Sequence, residues 1–230
     1  MINFNSPGGT ATIIVAAGSS QRMGFNKIFA ELAGKPVLWH SVEAFQSIPT
    51  VREFVVVVSK DDIERTRRLV SNMHDTFTIV EGGANRAESV RRGVAAITRN
   101  CKFVVIHDGA RPFVTRPLIN RVMTAVMSRR DECRAAIPAV AVKDTVKIAQ
   151  GGFVTSTPKR DELFAVQTPQ IFCLQTYREL MGADDITDDS ELFERAGLPV
   201  KIVEGDYRNI KITTPEDLLT AERFSEHGFH

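Results

Sequence analysis

Ala11-Thr-Ile-Ile-Val-Ala-Ala-Gly-Ser-Ser-Gln-Arg-Met-Gly-Phe-Asn-Lys27 begins as a β-branched run and ends as a small-residue loop with two cations five positions apart, Arg22 and Lys27. A short apolar run closed by glycine reads as a strand buried on both faces, the pattern of a parallel sheet covered by helices. In such sheets ligands bind beyond the carboxyl ends of strands, where small residues let the backbone approach a phosphate or a base. Arg22 and Lys27 are therefore candidate triphosphate clamps. The loop has neither the GKS or GKT of a Walker A motif nor the GxGxxG dinucleotide turn, so phosphates are expected, but not as an ATPase or a dehydrogenase holds them.

The same unit recurs outward from this stretch. Strands are expected near 11–16, 54–58, 77–80, 103–107, 135–141 and 200–203, and helices near 37–47, 61–73, 86–98, 116–129, 188–196 and 215–225. Alternation of this kind predicts an α/β fold of three layers, a mostly parallel twisted sheet with helices on both faces. Asn85 with Glu88, and Thr214 with Pro215 and Asp217, read as helix starts, and Gly197 followed by Pro199 as a helix stop. Residues 146–155, with Gly151-Gly152 at their centre, read as a β-hairpin arm inserted at about 143–165. An isolated hairpin is marginal in water, so this one is expected to pack on something else, such as a second subunit.

The bulk numbers set bounds. A chain of 230 residues is long enough for one sizeable core, read here as a single domain over 1–230, and 43% hydrophobic with 25% charged residues is an ordinary globular balance. With 29 Lys+Arg against 28 Asp+Glu the net charge is +1, which gives no general attraction to nucleic acid. Every apolar run is far shorter than the ~20 residues of a membrane helix, and the N-terminal stretch lacks the pattern of a secretory signal. A cytoplasmic, membrane-free location is the expectation. Cys101, Cys133 and Cys173 fit neither a disulfide framework nor a CxxC zinc site and read as reduced thiols.

Two further stretches carry chemistry. Gly82-Gly-Ala-Asn-Arg-Ala-Glu-Ser89 places a glycine pair at a helix N-terminus, where free N–H groups and the Ser89 hydroxyl can meet a ligand. Phe103-Val-Val-Ile-His-Asp-Gly-Ala-Arg-Pro112 is a buried strand that delivers Asp108 to its carboxyl end. One carboxylate there suits Mg2+, which takes one or two carboxylates together with substrate phosphates. His107 has no nucleophile to activate and reads as structural. Lys211, between Ile210 and Ile212, is expected to point away from both on a strand.

Taken in order, AAGSSQRMG with Lys27, GGANRAESV, VVIHDGARPFV, KDTVKI, AVQTPQIF, ITDDSELFERAG and NIKITTPEDL closely resemble the 2-C-methyl-D-erythritol 4-phosphate cytidylyltransferase family over about residues 11–224. The resemblance implies a Rossmann-like nucleotidyltransferase fold, and because the sequence ends soon after NIKITTPEDL no fused second enzyme domain is expected. It implies that Arg22, Lys27 and Lys211 bind the CTP phosphates and stabilise the transition state, and that Ala16, Ala17, Gly18, Gly83 and Ser89 surround the nucleotide. Asp108 would hold Mg2+, and Thr145, Arg160 and Thr187 would bind the methylerythritol phosphate. The hairpin would be an arm exchanged within a homodimer, with Arg160 serving the partner's site. One departure is the short interval from Arg22 to Lys27, which is similar to the RMGxDK loop of molybdenum-cofactor guanylyltransferases.

The expected reaction is in-line attack by the acceptor phosphate on the α-phosphorus of CTP. A phosphate monoester, with its second pKa near ~6, is already a dianion at neutral pH and needs no general base. Ribitol 5-phosphate as acceptor is the nearest rival reading. A guanylyl- or uridylyltransferase, or a nucleotide-sensing protein without catalysis, stands further off.

Overall fold

Ile13 and Ile14 are neighbours in β1 (Gly9–Val15), are both fully buried, and belong to two different apolar clusters. Successive strand residues face opposite sides, so a strand apolar at every position needs helices over both faces. In this computed structural model, which describes residues 9–18, 24–46, 48–73, 76–128, 133–182, 186–226 and 228, both faces are so covered.

After β1 come a small hairpin of β2 (Glu31–Leu32) and β3 (Lys35–Pro36), then α1 (Val37–Gln46), β4 (Val51–Val58), α2 (Ile63–Val70), β5 (Phe77–Glu81), α3 (Arg86–Ala95) and β6 (Cys101–Asp108). The second half holds α4 (Arg116–Met127), β7 (Ala135–Ala141), β8 (Ile148–Gln150), β9 (Phe153–Ser156), β10 (Phe164–Val166), β11 (Gln170–Cys173), α5 (Leu174–Leu180), α6 (Glu191–Arg195), β12 (Val200–Glu204) and α7 (Pro215–Ser225).

In space the strands run β5-β4-β1-β6-β11-β7. Ala139 of β7 pairs with both Val166 and Glu204, so β10 lies along one edge of β7 and β12 along the other. Only β10 and β11 run against the rest. The chain steps from β1 to β4 and β5, then returns through α3 to lay β6 on the other side of β1. Strand order therefore reverses at β1 and β6, and a crevice opens outside their carboxyl ends, the place where open α/β sheets bind ligands.

Most expected elements are present, α7 with the expected bounds. Its start is a capping box: the Asp217 N–H donates to Thr214 Oγ1, and Asp217 Oδ2 accepts from the Thr213 and Thr214 N–H groups at 2.8 and 2.9 Å. At the other helix start the Glu88 N–H donates to Asn85 Oδ1, but the Glu88 carboxylate reaches the Ala84 N–H instead of closing the box. After α6, Gly197 has φ +69° and the Leu198 N–H donates to Phe193 O at 2.9 Å, a left-handed helix stop. The β8–β9 hairpin turns on Gly151 and Gly152, both with positive φ as a two-residue turn requires, and Phe153 on it is 79% exposed.

Three features depart from expectation. The strands β10 and β11, each antiparallel to its sheet neighbours, and the helix α5 were not anticipated. The helix expected near 188–196 is the single short α6. Lys211 lies in extended chain outside any strand ladder, yet the alternation holds, because Ile210 and Ile212 pack with Leu32 and Phe113 while Lys211 turns away from them.

Candidate active site

The crevice is a cleft of about 470 Å³ whose walls include Ala16, Ala17 and Gly18 after β1, Gly83, Asn85, Arg86 and Ser89 at the start of α3, Asp108 after β6, and Lys27 and Lys211. Val15 pairs in register with Asp108, which brings the loops after β1 and β6 side by side. The loop after β1 needs a glycine beside it. A Cβ on Gly82 would sit 2.3 Å from the Ala17 Cβ, and neither atom can rotate away. Gly82→Ala is expected to push these two loops apart, destabilise the protein by about 1–3 kcal/mol and raise the KM for CTP about tenfold or more. Denaturant unfolding and steady-state kinetics on that variant measure both.

Asp108 is the focus of charge. Its Oδ2 lies 2.9 Å from Lys211 Nζ and 3.6 Å from Arg111 Nε, and its Oδ1 lies 3.6 Å from Arg86 Nε. Burial opposes ionisation, but Lys211 first, and then Arg86 and Arg111, hold the carboxyl well below the usual carboxylate range. Asp108 is thus an anion at any working pH.

Arg86 is in turn held from behind. Its NH2 meets Asp189 Oδ2 at 2.6 Å, and the Tyr177 hydroxyl donates to Asp189 Oδ1 at 2.7 Å. Burial raises the pKa of Asp189, with Arg86 acting against it, and burial raises that of Tyr177 well above the usual phenol value, so the hydroxyl keeps its proton. Arg86 NH1 is buried with no hydrogen-bond partner among the described residues.

The His107 ring is fully buried, tilted against Phe45 with centroids 5.1 Å apart. The Asp108 N–H donates to Thr168 Oγ1 at 3.0 Å, and His107 Nδ1 lies 3.0 Å from the same oxygen. His107 Nε2 lies 3.2 Å from Arg111 O. These contacts fit a neutral ring with the proton on Nε2, donating to the carbonyl, and accepting from the threonine at Nδ1. Burial lowers its pKa to about 4 from the ordinary 6.5. The unfolded chain takes up this proton as pH falls through 6.5 while the folded chain refuses it until about 4. Stability is therefore present above 6.5 and is lost downward across that window, by up to about 3 kcal/mol, with His40 adding in the same direction. Urea unfolding at pH 7 and 4.5 reads the loss, and a flat profile would contradict a buried neutral ring.

Of the residues expected from sequence, the cleft brings together Ala16, Ala17, Gly18, Lys27, Gly83, Ser89, Asp108 and Lys211. The Ser89 hydroxyl is already committed, accepting from the Gly83 N–H at 3.0 Å and donating to Asn85 O at 2.8 Å, so it closes the glycine loop. Arg22 lies outside the described residues. Thr145, Arg160 and Thr187 are exposed and are not among the cleft's lining; Arg160 sits on a single turn after the arm and donates to Lys143 O. Sequence reasoning missed Arg86, Arg111, Thr168 and Asp189. Arg86 did leave a signal, since a cation in the first turn of a helix opposes the helix dipole and calls for nearby carboxylates.

The donor set bears on a divalent cation. Among the described residues no group of three or more His, Cys, Asp or Glu could hold a metal, so these residues offer no preformed cage. One ionised carboxylate beside three cations fits a Mg2+ ion that arrives coordinated by polyphosphate, with Asp108 as its protein ligand.

Comparison with known proteins gives the family. Residues 10–226 match the family model described as IspD: 2-C-methyl-D-erythritol 4-phosphate cytidylyltransferase. The chain is 43% identical over 225 residues to the 2-C-methyl-D-erythritol 4-phosphate cytidylyltransferase of Caldanaerobacter subterraneus subsp. tengcongensis, covering 93% of this chain and 97% of that one. Against the protein of the same name from Alkaliphilus oremlandii it is 40% identical, covering 93% of each. The solved 4-diphosphocytidyl-2C-methyl-D-erythritol synthase of Anaerococcus prevotii superposes with a TM-score of 0.83 at 32% identity, over 95% of this chain and 99% of that one. With family model, relatives and solved structure in agreement over nearly its whole length, this chain belongs to the 2-C-methyl-D-erythritol 4-phosphate cytidylyltransferase family.

Proposed function

We propose that the cleft between β1 and β6 is where this cytidylyltransferase passes CMP from CTP to 2-C-methyl-D-erythritol 4-phosphate, releasing pyrophosphate, and that Lys27, Lys211 and Arg22 are its catalytic cations. The observation that carries the reading is Lys211 Nζ at 2.9 Å from Asp108 in a cleft also lined by Lys27 and Arg86. Three cations against one carboxylate suit a site whose task is to hold two polyanions together and neutralise charge growing on the α-phosphate.

Ala16, Ala17, Gly18, Gly83 and Ser89 form the nucleotide wall, with Ser89 closing the glycine loop behind Gly83. The acceptor phosphate attacks in line as a dianion, so no residue has to remove a proton. His107, neutral and committed on both nitrogens, holds the turn that carries Asp108. Mg2+, when bound, would sit on Asp108 and supply Lewis-acid neutralisation of phosphate oxygens. Pyrophosphate release with CTP, UTP, GTP and ATP, each against methylerythritol phosphate and ribitol phosphate, tests the reading. Release with ribitol phosphate alone would overturn the acceptor assignment.

The arm supports a homodimer. Ile148, Phe153 and Val154 on the hairpin are more than half exposed, and Arg160 beyond it does not line its own chain's cleft. Burying such residues against a second copy is favourable by about 1.5–3 kcal/mol each. Thr145 and Arg160 then serve the acceptor phosphate in the partner's cleft, with Thr187 supplied by the cleft's own chain. Mixing Arg160→Ala chains with Lys211→Met chains is expected to restore activity, because one site in each mixed dimer has both groups intact; no recovery would place Arg160 in its own chain's site.

A further inference from the structure

Three residues stand where helix-capping side chains belong and none caps its own helix. Asn26 precedes the single turn Lys27–Phe29, Ser59 precedes the turn Lys60–Asp62, and Asp62 precedes α2, yet none of the three side chains accepts a capping bond from a backbone N–H of its own first turn. Asn, Ser and Asp are the residues best suited to that local bond, which is worth about 1 kcal/mol when made. Here all three turn to one another. Asn26 Nδ2 donates to both carboxylate oxygens of Asp62, at 3.0 and 2.8 Å, and Ser59 Oγ donates to Asp62 Oδ2 at 2.6 Å.

The turn that follows Asn26 carries Lys27 into the cleft. A second tie joins the same two segments, since the Arg65 guanidinium of α2 lies 4.0 Å from the centroid of the buried Phe29 ring. The Lys27 turn is thereby held at both ends by the turn and helix that follow β4, none of whose residues lines the cleft.

We infer that Asp62 is a positioning residue for the transfer reaction, acting through Asn26 to seat Lys27 against the phosphates. The inference rests on the assignment of Lys27 as a catalytic cation. Asp62 touches no substrate. Its contribution lies in fixing where one ammonium group stands, and small misplacements of a catalytic group are costly.

A double-mutant cycle on the full chain tests this. Asp62→Ala is expected to lower kcat about tenfold or more with the KM for CTP within about threefold, and to have almost no further effect in a Lys27→Ala background. Equal losses in both backgrounds, or an unchanged kcat in Asp62→Ala, would overturn it. Near-normal turnover by Lys27→Ala alone would instead remove the catalytic assignment, so the two failures are separable. Should Asp62→Ala not fold, a swap serves. Asn26→Asp sets two carboxylates face to face and lowers kcat, and adding Asp62→Asn restores a donor facing an acceptor and recovers turnover. Absence of recovery by the swap would overturn the positioning role.

Discussion

Lys211→Met lowers kcat by about 10²–10³-fold while the protein stays folded, the loss expected when one preorganised donor to transition-state charge is removed. Methionine keeps most of the side chain's bulk beside Ile210 and Ile212 and removes only the ammonium. Asp108 does not become an unpaired buried charge, because Arg86 and Arg111 still stand 3.6 Å away, so a large loss of stability is not expected. The defect should fall on kcat more than on the KM for CTP, since the ammonium acts on charge that develops during transfer. Pyrophosphate release under saturating CTP measures it. A protein that merely senses the nucleotide would show weaker CTP binding and no turnover to lose.

The second large effect is on stability. Asp189→Leu is expected to cost about 3–5 kcal/mol, because it removes one partner of a buried pair and leaves the Arg86 guanidinium without its nearest counter-charge. Tyr177→Phe deletes a single hydrogen bond to the same carboxylate and should cost only about 1–2 kcal/mol. In the double variant the tyrosine change should add little, since the acceptor is already gone. Urea unfolding of the three variants measures the set, and a loss below about 1 kcal/mol in Asp189→Leu would contradict the pairing.

How much of this was legible beforehand depended on whether the signal was local. β1, the glycine hairpin turn and the Thr214 to Asp217 box are written in neighbouring residues, and each was readable. The alternation at Ile210-Lys-Ile212 gave the direction of Lys211 correctly even though no strand forms there. By contrast, β10 and β11 are only three and four residues long and owe their existence to pairing with β6 and β7. Such short runs have no period of their own to read, and the parallel scheme left no place for an antiparallel insertion between two parallel strands. The site divides in the same way. Lys27 and Asp108 end recognisable stretches, whereas Arg86 matters because Asp189 lies beneath it, and Thr168 because it links the Asp108 amide to His107. Those are facts of tertiary packing.

One consequence of the strand order concerns assembly in time. The strip β5-β4-β1-β6 is made wholly from residues 9–108, whereas Lys211 is set by Ile212, whose N–H donates to Ala110 O only once the last part of the chain is in place. A newly made chain can therefore lay down half its sheet, with the cleft walls at Ala16 to Gly18 and Gly83 included, long before it holds the Lys211 ammonium in the cleft. During refolding, far-ultraviolet dichroism should recover ahead of turnover, and enzymatic competence becomes a late marker of a finished molecule.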